Sequence, residues 1–278
     1  MVPEEIIQGT YRAILRPGDT AIDCGAHTGY HTKPMLEICR EGRVIAYEAL
    51  PHLAERLANE LGNWTSLELK SCAVQADPDI EKISFQFVPE RPGRSGILSA
   101  TINTLETNKY EYQLIEVSAS TIDKDVTELG IEPATVAFIK LDLEGGEYNA
   151  LQGAKETLRS GRPFLAYENG VFAAKTMGYT DHDFSKMLEE LDYVRVSVFG
   201  NILREPNFDC HYLFAAPEEE AEVLRRILKG LFVASCYRHG VSQSWNEAVT
   251  GETNNEPADR PRFGLAAQRI GRLRFKRR

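Results

Sequence analysis

In this 278-residue sequence, several apolar segments end in an acidic residue, and these carboxylates are the side chains best suited to bind a ligand or to act in catalysis. Asp23 closes a short run, and Asp142 closes a continuous one from Ala134 to Leu141, with Glu144 and Glu147 directly behind it. Carboxylates in such places orient ligands, accept protons or hold hard cations. Glu147 also falls at a predicted helix start, where a carboxylate is favoured for capping alone.

The turn after Asp23 has the pattern of a cofactor site. It reads D-C-G-A-H-T-G-Y, with Gly25 and Gly29 where a ligand would lie against bare backbone. The dinucleotide fingerprint G-x-G-x-x-G is incomplete, because His27 and Tyr30 replace two of its glycines. An acid before the first glycine repels a pyrophosphate but suits a cationic amino-acid group. The pattern favours S-adenosylmethionine, and a strand–turn–helix without ligand is the alternative.

Glu48 is the second candidate cofactor ligand. It ends the apolar run V-I-A-Y-E, which begins at Val44 and reads as a buried strand. An acid at this place, about 20 residues after the first glycine, can accept hydrogen bonds from ribose hydroxyls.

Composition excludes several classes of protein. The net charge of −9 argues against a surface that coats nucleic acid or membrane. No apolar run is long enough to span a bilayer, and the acidic N-terminus lacks the regions of a signal peptide. The five cysteines are scattered without a C-x-x-C pair, which indicates reduced thiols and a cytoplasmic location.

Apolar periodicity predicts alternating strands and helices, hence a doubly wound, mostly parallel sheet with one antiparallel strand near its edge. The strands of this sheet are expected near Ala21–Asp23, Arg43–Glu48, Leu67–Gln75, Ala134–Leu141, Pro163–Tyr167, Tyr193–Val198 and Cys210–Ala215. The helices are expected near Glu4–Leu15, Gly29–Cys39, Pro51–Leu61, Glu147–Leu158, His182–Leu191 and Glu218–Leu231. Two more strands, Lys82–Val88 and Tyr110–Ser118, extend the sheet or form an antiparallel flap.

These elements divide the chain into four parts. Residues 1–18 form an N-terminal helix, 19–217 the main domain, 218–249 a helical extension, and 250–278 a mobile polar tail with a basic end. The helix of the extension could pack on a second copy of the chain. The basic end is either a solvated terminus or a contact for an anionic partner.

Five motifs resemble the FkbM family of S-adenosylmethionine-dependent methyltransferases. Between about Asp19 and Asn169 they read D-C-G-A-H-T-G-Y, V-I-A-Y-E, S-T-I-D, I-K-L-D-L-E-G-G-E-Y-N-A-L-Q-G-A and P-F-L-A-Y-E. The resemblance implies a class I methyltransferase (Rossmann-like) fold, whose seven-stranded sheet has an antiparallel seventh strand. It also implies O-methylation of a hydroxyl on a sugar, glycan or natural product. His27 and His31 depart from the residues that the family often has there.

The resemblance also implies roles for residues of the cofactor site. The methionine part of S-adenosylmethionine would be held by Asp23, Gly25, Ala26 and Gly29. Glu48 would bind the ribose, and Asp142 would face the donor near its methyl group. The adenine would lie on the Ser71–Val74 turn, which contains Cys72 and Ala73.

A hydroxyl is a poor nucleophile, so the acceptor needs a base or a metal. Three histidines are candidate bases: His27, His31 and His211. Alternatively, Asp142, Glu168 and Asn169 end neighbouring predicted strands, where their oxygens could hold Mg²⁺ and lower the pKa of the acceptor hydroxyl. Glu168 could equally orient the acceptor by hydrogen bonds alone.

The loop from Pro89 to Ser99 is either a plain surface loop or a lid, in which Arg91 and Arg94 would meet an anionic acceptor.

A nucleic-acid methyltransferase is an alternative interpretation of the sequence. Amino-directed members of that class carry N/D-P-P-Y/F where this sequence reads D-L-E-G, and the acidic balance also disfavours it. A non-catalytic scaffold that uses the fold to bind a partner is a further alternative. A dehydrogenase is disfavoured, because two glycines of the dinucleotide fingerprint are missing.

Overall fold

A mostly parallel sheet of eight strands forms the centre of the computed structural model, which describes residues 3–97, 111–169, 178–204 and 212–238. Its strands, in spatial order, are β3 (Leu67–Lys70), β2 (Arg43–Tyr47), β1 (Thr20–Cys24), β8 (Val136–Leu141), β9 (Phe164–Glu168), β12 (Tyr212–Pro217), β10 (Tyr193–Ser197) and β11 (Ile202–Leu203). Strand β12 runs antiparallel to both β9 and β10. This arrangement confirms the predicted class I methyltransferase fold.

The sheet has one strand more than the seven predicted. After β10 the chain turns back at Gly200, which has φ +77°, and β11 pairs antiparallel with β10. Only two residues on each strand pair, Arg195 with Leu203 and Val196 with Ile202. A strand of two residues is too short to show the alternating pattern by which strands are recognised.

The described residues form eight α-helices on the two faces of the sheet: α1 (Pro3–Ile14), α2 (Thr32–Ile38), α3 (Pro51–Leu61), α4 (Ile122–Glu128), α5 (Glu147–Gln152), α6 (Lys155–Gly161), α7 (Asp181–Glu189) and α8 (Ala221–Arg238). Side chains alternate across each strand, so β1 sends Ala21 to one core and Ile22 to the other. The core with Ala21 contains residues of α1, α2, α3 and α8, and the core with Ile22 contains residues of α4–α7.

A second, smaller sheet lies beside the first. In it β5 (Lys82–Phe87) pairs antiparallel with β6 (Gly96–Ile97) and β7 (Gln113–Ser120), and β7 pairs parallel with β4 (Ala73–Val74). The predicted extra strands therefore form a separate flap and do not extend the main sheet. The single strand predicted over Leu67–Gln75 is wrong, because the chain leaves β2 after Lys70 and joins β7 from Ala73.

The helix predicted over Glu147–Leu158 is two helices, α5 and α6. They are separated at Gly153, where a Cβ atom would lie 2.2 Å from the carbonyl oxygen of Gln75. This close approach of two backbones leaves no room for a larger residue. The break is a tertiary constraint that helical periodicity does not reveal.

Helix α8 follows a short 3-10 turn and packs its apolar face inside the chain. Leu224, Leu228 and Phe232 are fully buried, and α8 contacts α1, β10 and β12. The face that suggested a homo-oligomer is thus covered by the chain's own residues, and the oligomer stays a prediction. Residues 239–278, with the predicted basic tail, lie outside the described part. Within that part, no helix combines the length and apolarity that crossing a bilayer requires.

Candidate active site

A cavity of about 440 Å³ opens where β1, β2, β8 and β9 reach their carboxyl ends, the edge at which open α/β sheets bind ligands. Phe85 of β5 and three residues of the loop between β5 and β6, Pro92, Gly93 and Ser95, add to its wall. Part of the predicted lid loop thus lines the cavity, and its action as a lid stays a prediction. Nine of the predicted site residues contribute to the wall: Gly25, Ala26, His27, His31, Glu48, Cys72, Ala73, Asp142 and Glu168.

Gly25 fixes the turn after β1 in the wall. Its φ is +83°, and a Cβ atom built there would lie 2.0 Å from the carbonyl oxygen of Asp142. The amides of Gly25 and Ala26 both donate to the carbonyl of Tyr47, at 3.1 and 2.9 Å. The turn is therefore held between β2 and the end of β8, and only glycine fits this backbone.

Asp23 and Gly29 lie behind the wall and do not line the cavity. Asp23 is fully buried, and its Oδ2 accepts a hydrogen bond from Thr32 Oγ1 at 2.7 Å. Gly29 has φ +77°, and a Cβ atom there would meet Leu57 and Leu61 of α3 within about 3.1 Å. Both residues support the turn from the inside, and their contact with the methionine part of a cofactor stays a prediction.

Lys140 is a buried cation that is not among the predicted site residues. It pairs with Asp23 across β1 and β8, and its Nζ lies 3.3 Å from Asp23 Oδ1 and 3.6 Å from Asp142 Oδ2. Nζ also donates to the carbonyl of Gly25 at 2.9 Å. Burial alone lowers the pKa of Lys140, but the two carboxylates outweigh burial and raise it, so the ammonium stays charged.

Asp142 is held in its ionised form. Burial raises the pKa of this carboxyl, but the charge of Lys140 and hydrogen bonds from Tyr212 and Glu168 lower it below its ordinary value. The Tyr212 hydroxyl donates to Asp142 Oδ2 at 2.8 Å. The side chain of Asp142 remains 29% exposed on the cavity side, so an ionised carboxylate is available to a ligand.

Glu168, at the end of β9, carries the opposite protonation state. Burial, followed by the negative charges of Asp142, Glu144 and Glu147, raises the pKa of Glu168 to about 9. Glu168 is therefore a carboxylic acid at neutral pH and donates a hydrogen bond to Asp142. The pair shares one proton, and Asp142 is the member able to accept another.

Glu144 and Glu147 have different positions in the turn after β8. Glu144 lines the cavity from a left-handed backbone conformation with φ +51°. Glu147 is fully buried, and its Oε1 accepts hydrogen bonds from the amides of Leu143 at 2.7 Å and Gly145 at 3.3 Å. Burial raises the pKa of Glu147 to about 7. Glu147 thus holds the turn that presents Glu144.

Glu48 accepts two backbone hydrogen bonds at the end of β2. Its Oε1 binds the amide of Leu50 at 2.9 Å, and its Oε2 binds the amide of His27 at 2.8 Å. Burial raises the pKa of this carboxyl, and the two amides oppose the change. His27 has φ +48°, and its exposed side chain lies close to Gly93 in the loop between β5 and β6. Glu48 thereby joins the cofactor turn to β2.

His31 is a buried member of the wall. Its Nε2 lies 2.7 Å from Glu4 Oε2, and its Nδ1 has no hydrogen-bond partner among the described residues. The rings of Tyr11 and Tyr30 pack edge-on against it, with centroids 5.9 and 5.1 Å away. Glu4 belongs to α1 and also lines the cavity. His211, the third candidate base, lies outside the described residues.

A model of the FkbM methyltransferase domain matches residues 23–195. The chain belongs to this family. The matched segment contains the cofactor turn, the carboxyl ends of β1, β2, β8 and β9, and most of the cavity wall. The family predicted from the five motifs is therefore confirmed. No curated protein matches the chain.

Two solved structures illustrate the similarity of this FkbM chain to other proteins. A methyltransferase FkbM from Methylobacillus flagellatus KT is 17% identical, with a TM-score of 0.42 over 74% of this chain and 49% of that chain. SMU.1697c, a putative methyltransferase from Streptococcus mutans in complex with SAH, is 13% identical, with a TM-score of 0.44 over 78% of this chain and 98% of that chain. The chain thus spans about half the length of the Methylobacillus protein.

Three carboxyl groups of the FkbM site have the donor set of a hard cation. One oxygen each from Asp142, Glu144 and Glu168 lies within 4.8 Å of the others. A divalent ion there would have to displace the proton that Glu168 shares with Asp142. Asn169, the predicted third ligand, is half-buried next to Glu168, and its part in such a site stays a prediction.

Glu4 and Tyr212 are the wall residues that lie outside the FkbM match, and neither was predicted from the sequence. Glu4 reaches His31 across 27 residues, and Tyr212 reaches Asp142 across 70. Nothing in the local sequence around either residue signals such contacts. Lys140 had a signal, since it is a lone cation in an apolar run two residues before an acid.

Proposed function

We propose that this chain transfers the methyl group of S-adenosylmethionine to a hydroxyl of a sugar, glycan or natural product. The observation that carries the proposal is the ionisation state of Asp142. It is an ionised carboxylate in the wall of a 440 Å³ cavity, held by Lys140, Tyr212 and the acid Glu168, in a member of a methyltransferase family.

The wall offers groups for each part of the donor. Gly25 and Ala26 leave bare backbone for the methionine part. The carboxylate of Glu48 suits ribose hydroxyls, and Cys72 and Ala73 present a small apolar surface on which an adenine can lie. When bound, S-adenosylmethionine supplies a sulfonium methyl group that is already activated for transfer.

The protein then has to align the acceptor and remove its proton. Holding two reactants in line converts a bimolecular step into an effectively unimolecular one. As the acceptor oxygen takes the methyl group, its proton becomes strongly acidic, and the Asp142 carboxylate accepts it. The protonated Glu168 holds Asp142 by a hydrogen bond and cannot itself be the base. His31 is less suited, because its Nε2 contacts Glu4 and its other nitrogen, Nδ1, is buried, so neither nitrogen is open to an acceptor hydroxyl.

S-adenosylhomocysteine (SAH), the expected product, tests the donor site by calorimetry. We expect the wild type to bind it at one site, and Glu48→Gln to weaken binding by about tenfold. The amide accepts ribose hydrogen bonds less well than the carboxylate, and its NH₂ group cannot accept from the amide of Leu50 or of His27, the two contacts that position the cofactor turn. Glu55→Gln, an exposed change of the same kind on α3, is the control and should leave binding unchanged. Failure of the wild type to bind would refute the proposed donor.

Magnesium is a second candidate for activating the acceptor, and the oxygens of Asp142, Glu144 and Glu168 support it. If Mg²⁺ acts there, titration of MgCl₂ into the complex with SAH should show saturable binding of one ion. Glu144→Gln should weaken that binding by roughly tenfold or more, since it removes one charged ligand. Equal Mg²⁺ binding by wild type and variant would place the ion elsewhere.

We also propose a cytoplasmic location. Four cysteines of the described residues, Cys24, Cys39, Cys72 and Cys236, are buried and free. Burial raises the pKa of Cys24, Cys39 and Cys72, which keeps them as unreactive thiols. Free buried thiols are typical of proteins in a reducing compartment.

A further inference from the structure

The described wall of the cavity is strongly acidic. Its carboxyl groups are Glu4, Glu48, Asp142, Glu144 and Glu168. Lys140 is the one lysine among the wall residues that the structure describes, and its charge is opposed by Asp23 and Asp142. Of the two arginines predicted to meet an anionic acceptor, Arg91 is exposed and outside this wall, and the side chain of Arg94 lies outside the described part. Among the described side chains, an anionic acceptor would therefore meet uncompensated negative charge.

Glu4 is a carboxylate of this wall that takes no part in the proposed donor binding or proton removal. Its Oε2 is bound by His31 Nε2 at 2.7 Å, while its side chain remains 36% exposed. The unpartnered Nδ1 of His31 is buried. A buried Nδ1–H without an acceptor is costly, so the tautomer with its proton on Nε2 fits best, and His31 donates to Glu4. His31 thus orients Glu4 and leaves it able to accept from a ligand.

Glu4 also lies near the residue that holds the carboxylate we assign to proton removal. It is near enough to Tyr212 for its charge to raise the pKa of that phenol, together with burial and the charge of Asp142. Tyr212 in turn donates to Asp142. Helix α1 therefore places a negative charge at the end of the cavity where the acceptor has to lie.

We propose that the methyl acceptor is a polyhydroxyl compound with an ammonium group, such as an amino sugar, and that Glu4 binds this ammonium. The inference rests on the proposed methyltransferase function and adds the charge of the acceptor to it. An ammonium gains a carboxylate partner in the partly buried wall, whereas a carboxylate or phosphate is repelled by it. The His31 imidazole is then a positioning residue that fixes Glu4.

Three sugars of equal size but different charge test the proposal. Glucosamine, glucose and glucuronate are titrated into the complex of the full chain with SAH at pH 6.5, and binding is followed by saturation-transfer NMR. We expect glucosamine to bind about tenfold more tightly than glucose, and glucuronate not to bind. In Glu4→Gln the preference for glucosamine should fall to less than about twofold. The exposed change Glu55→Gln should leave the preference intact.

The affinity for SAH separates this proposal from the proposed function. It should be the same in the wild type and in Glu4→Gln, which also shows that the variant is folded. If SAH binds but glucuronate binds as well as glucosamine, the assignment of the acceptor charge is wrong. A preference for glucosamine that persists in Glu4→Gln, or no saturable binding of any of the three sugars, would also overturn it.

Discussion

Replacing Lys140 with methionine is expected to lower the free energy of unfolding by about 3–5 kcal/mol, because it leaves a buried carboxylate without its counter-charge. Asp23 is fully buried, and the Nζ of Lys140 lies 3.3 Å from its Oδ1. The same substitution removes the ammonium that lies 3.6 Å from Asp142 Oδ2 and the hydrogen bond that Lys140 donates to the Gly25 carbonyl. Chemical denaturation at neutral pH measures the loss.

A second substitution distinguishes the uncompensated charge from poor packing of the methionine. Asp23→Asn in the Lys140→Met background should recover part of the stability, because it removes the orphaned charge while an amide oxygen still accepts from Thr32. Lys82→Met, which breaks an exposed pair with Glu116, is the matched control and should change stability little. If Asp23→Asn destabilises the Lys140→Met variant further, the charge explanation is wrong.

Much of the fold was predictable because buried parallel strands are continuous apolar runs. The apolar run from Ala134 to Leu141 predicts the bounds of β8 to within two residues, and the predicted helix Pro51–Leu61 has the same bounds as α3. The elements that the sequence did not reveal depend on tertiary pairing. Strand β11 has two residues, and the break between β3 and β4 exists because β4 pairs with β7, more than 40 residues away in sequence. Periodicity within one segment carries no information about its partner.

The candidate site was predictable where its residues end strands. Gly25, Glu48, Asp142 and Glu168 all follow from the rule that the carboxyl ends of parallel strands meet, and the structure places all four in one wall. The protonation states did not follow, because they depend on distances between side chains from different strands. The sequence presents Asp142 and Glu168 as two similar carboxylates, whereas in the structure Asp142 is ionised and Glu168 is protonated.

Glu168 should make the wild type less stable as the pH rises, and Glu168→Gln should remove this dependence. The pKa of Glu168 is raised from its ordinary value of 4.5 to about 9 in the folded chain. The unfolded chain therefore loses this proton first, and folding is disfavoured progressively between these two pH values. The slope is at most about 1.4 kcal/mol per pH unit. Glutamine keeps a hydrogen-bond donor for Asp142 but does not titrate.

Between pH 7 and pH 9, the effect of Glu168 on the free energy of unfolding can be separated from that of Glu147. The pKa of Glu147 is raised to about 7, so its contribution, which has the same sign, is mostly lost below that pH. Between pH 7 and 9 the wild type should lose up to roughly 2 kcal/mol more stability than Glu168→Gln, measured by denaturation in parallel series. Glu55→Gln should follow the wild type. Parallel curves for wild type and Glu168→Gln would mean that Glu168 is ionised at neutral pH, and that Asp142 and Glu168 share no proton.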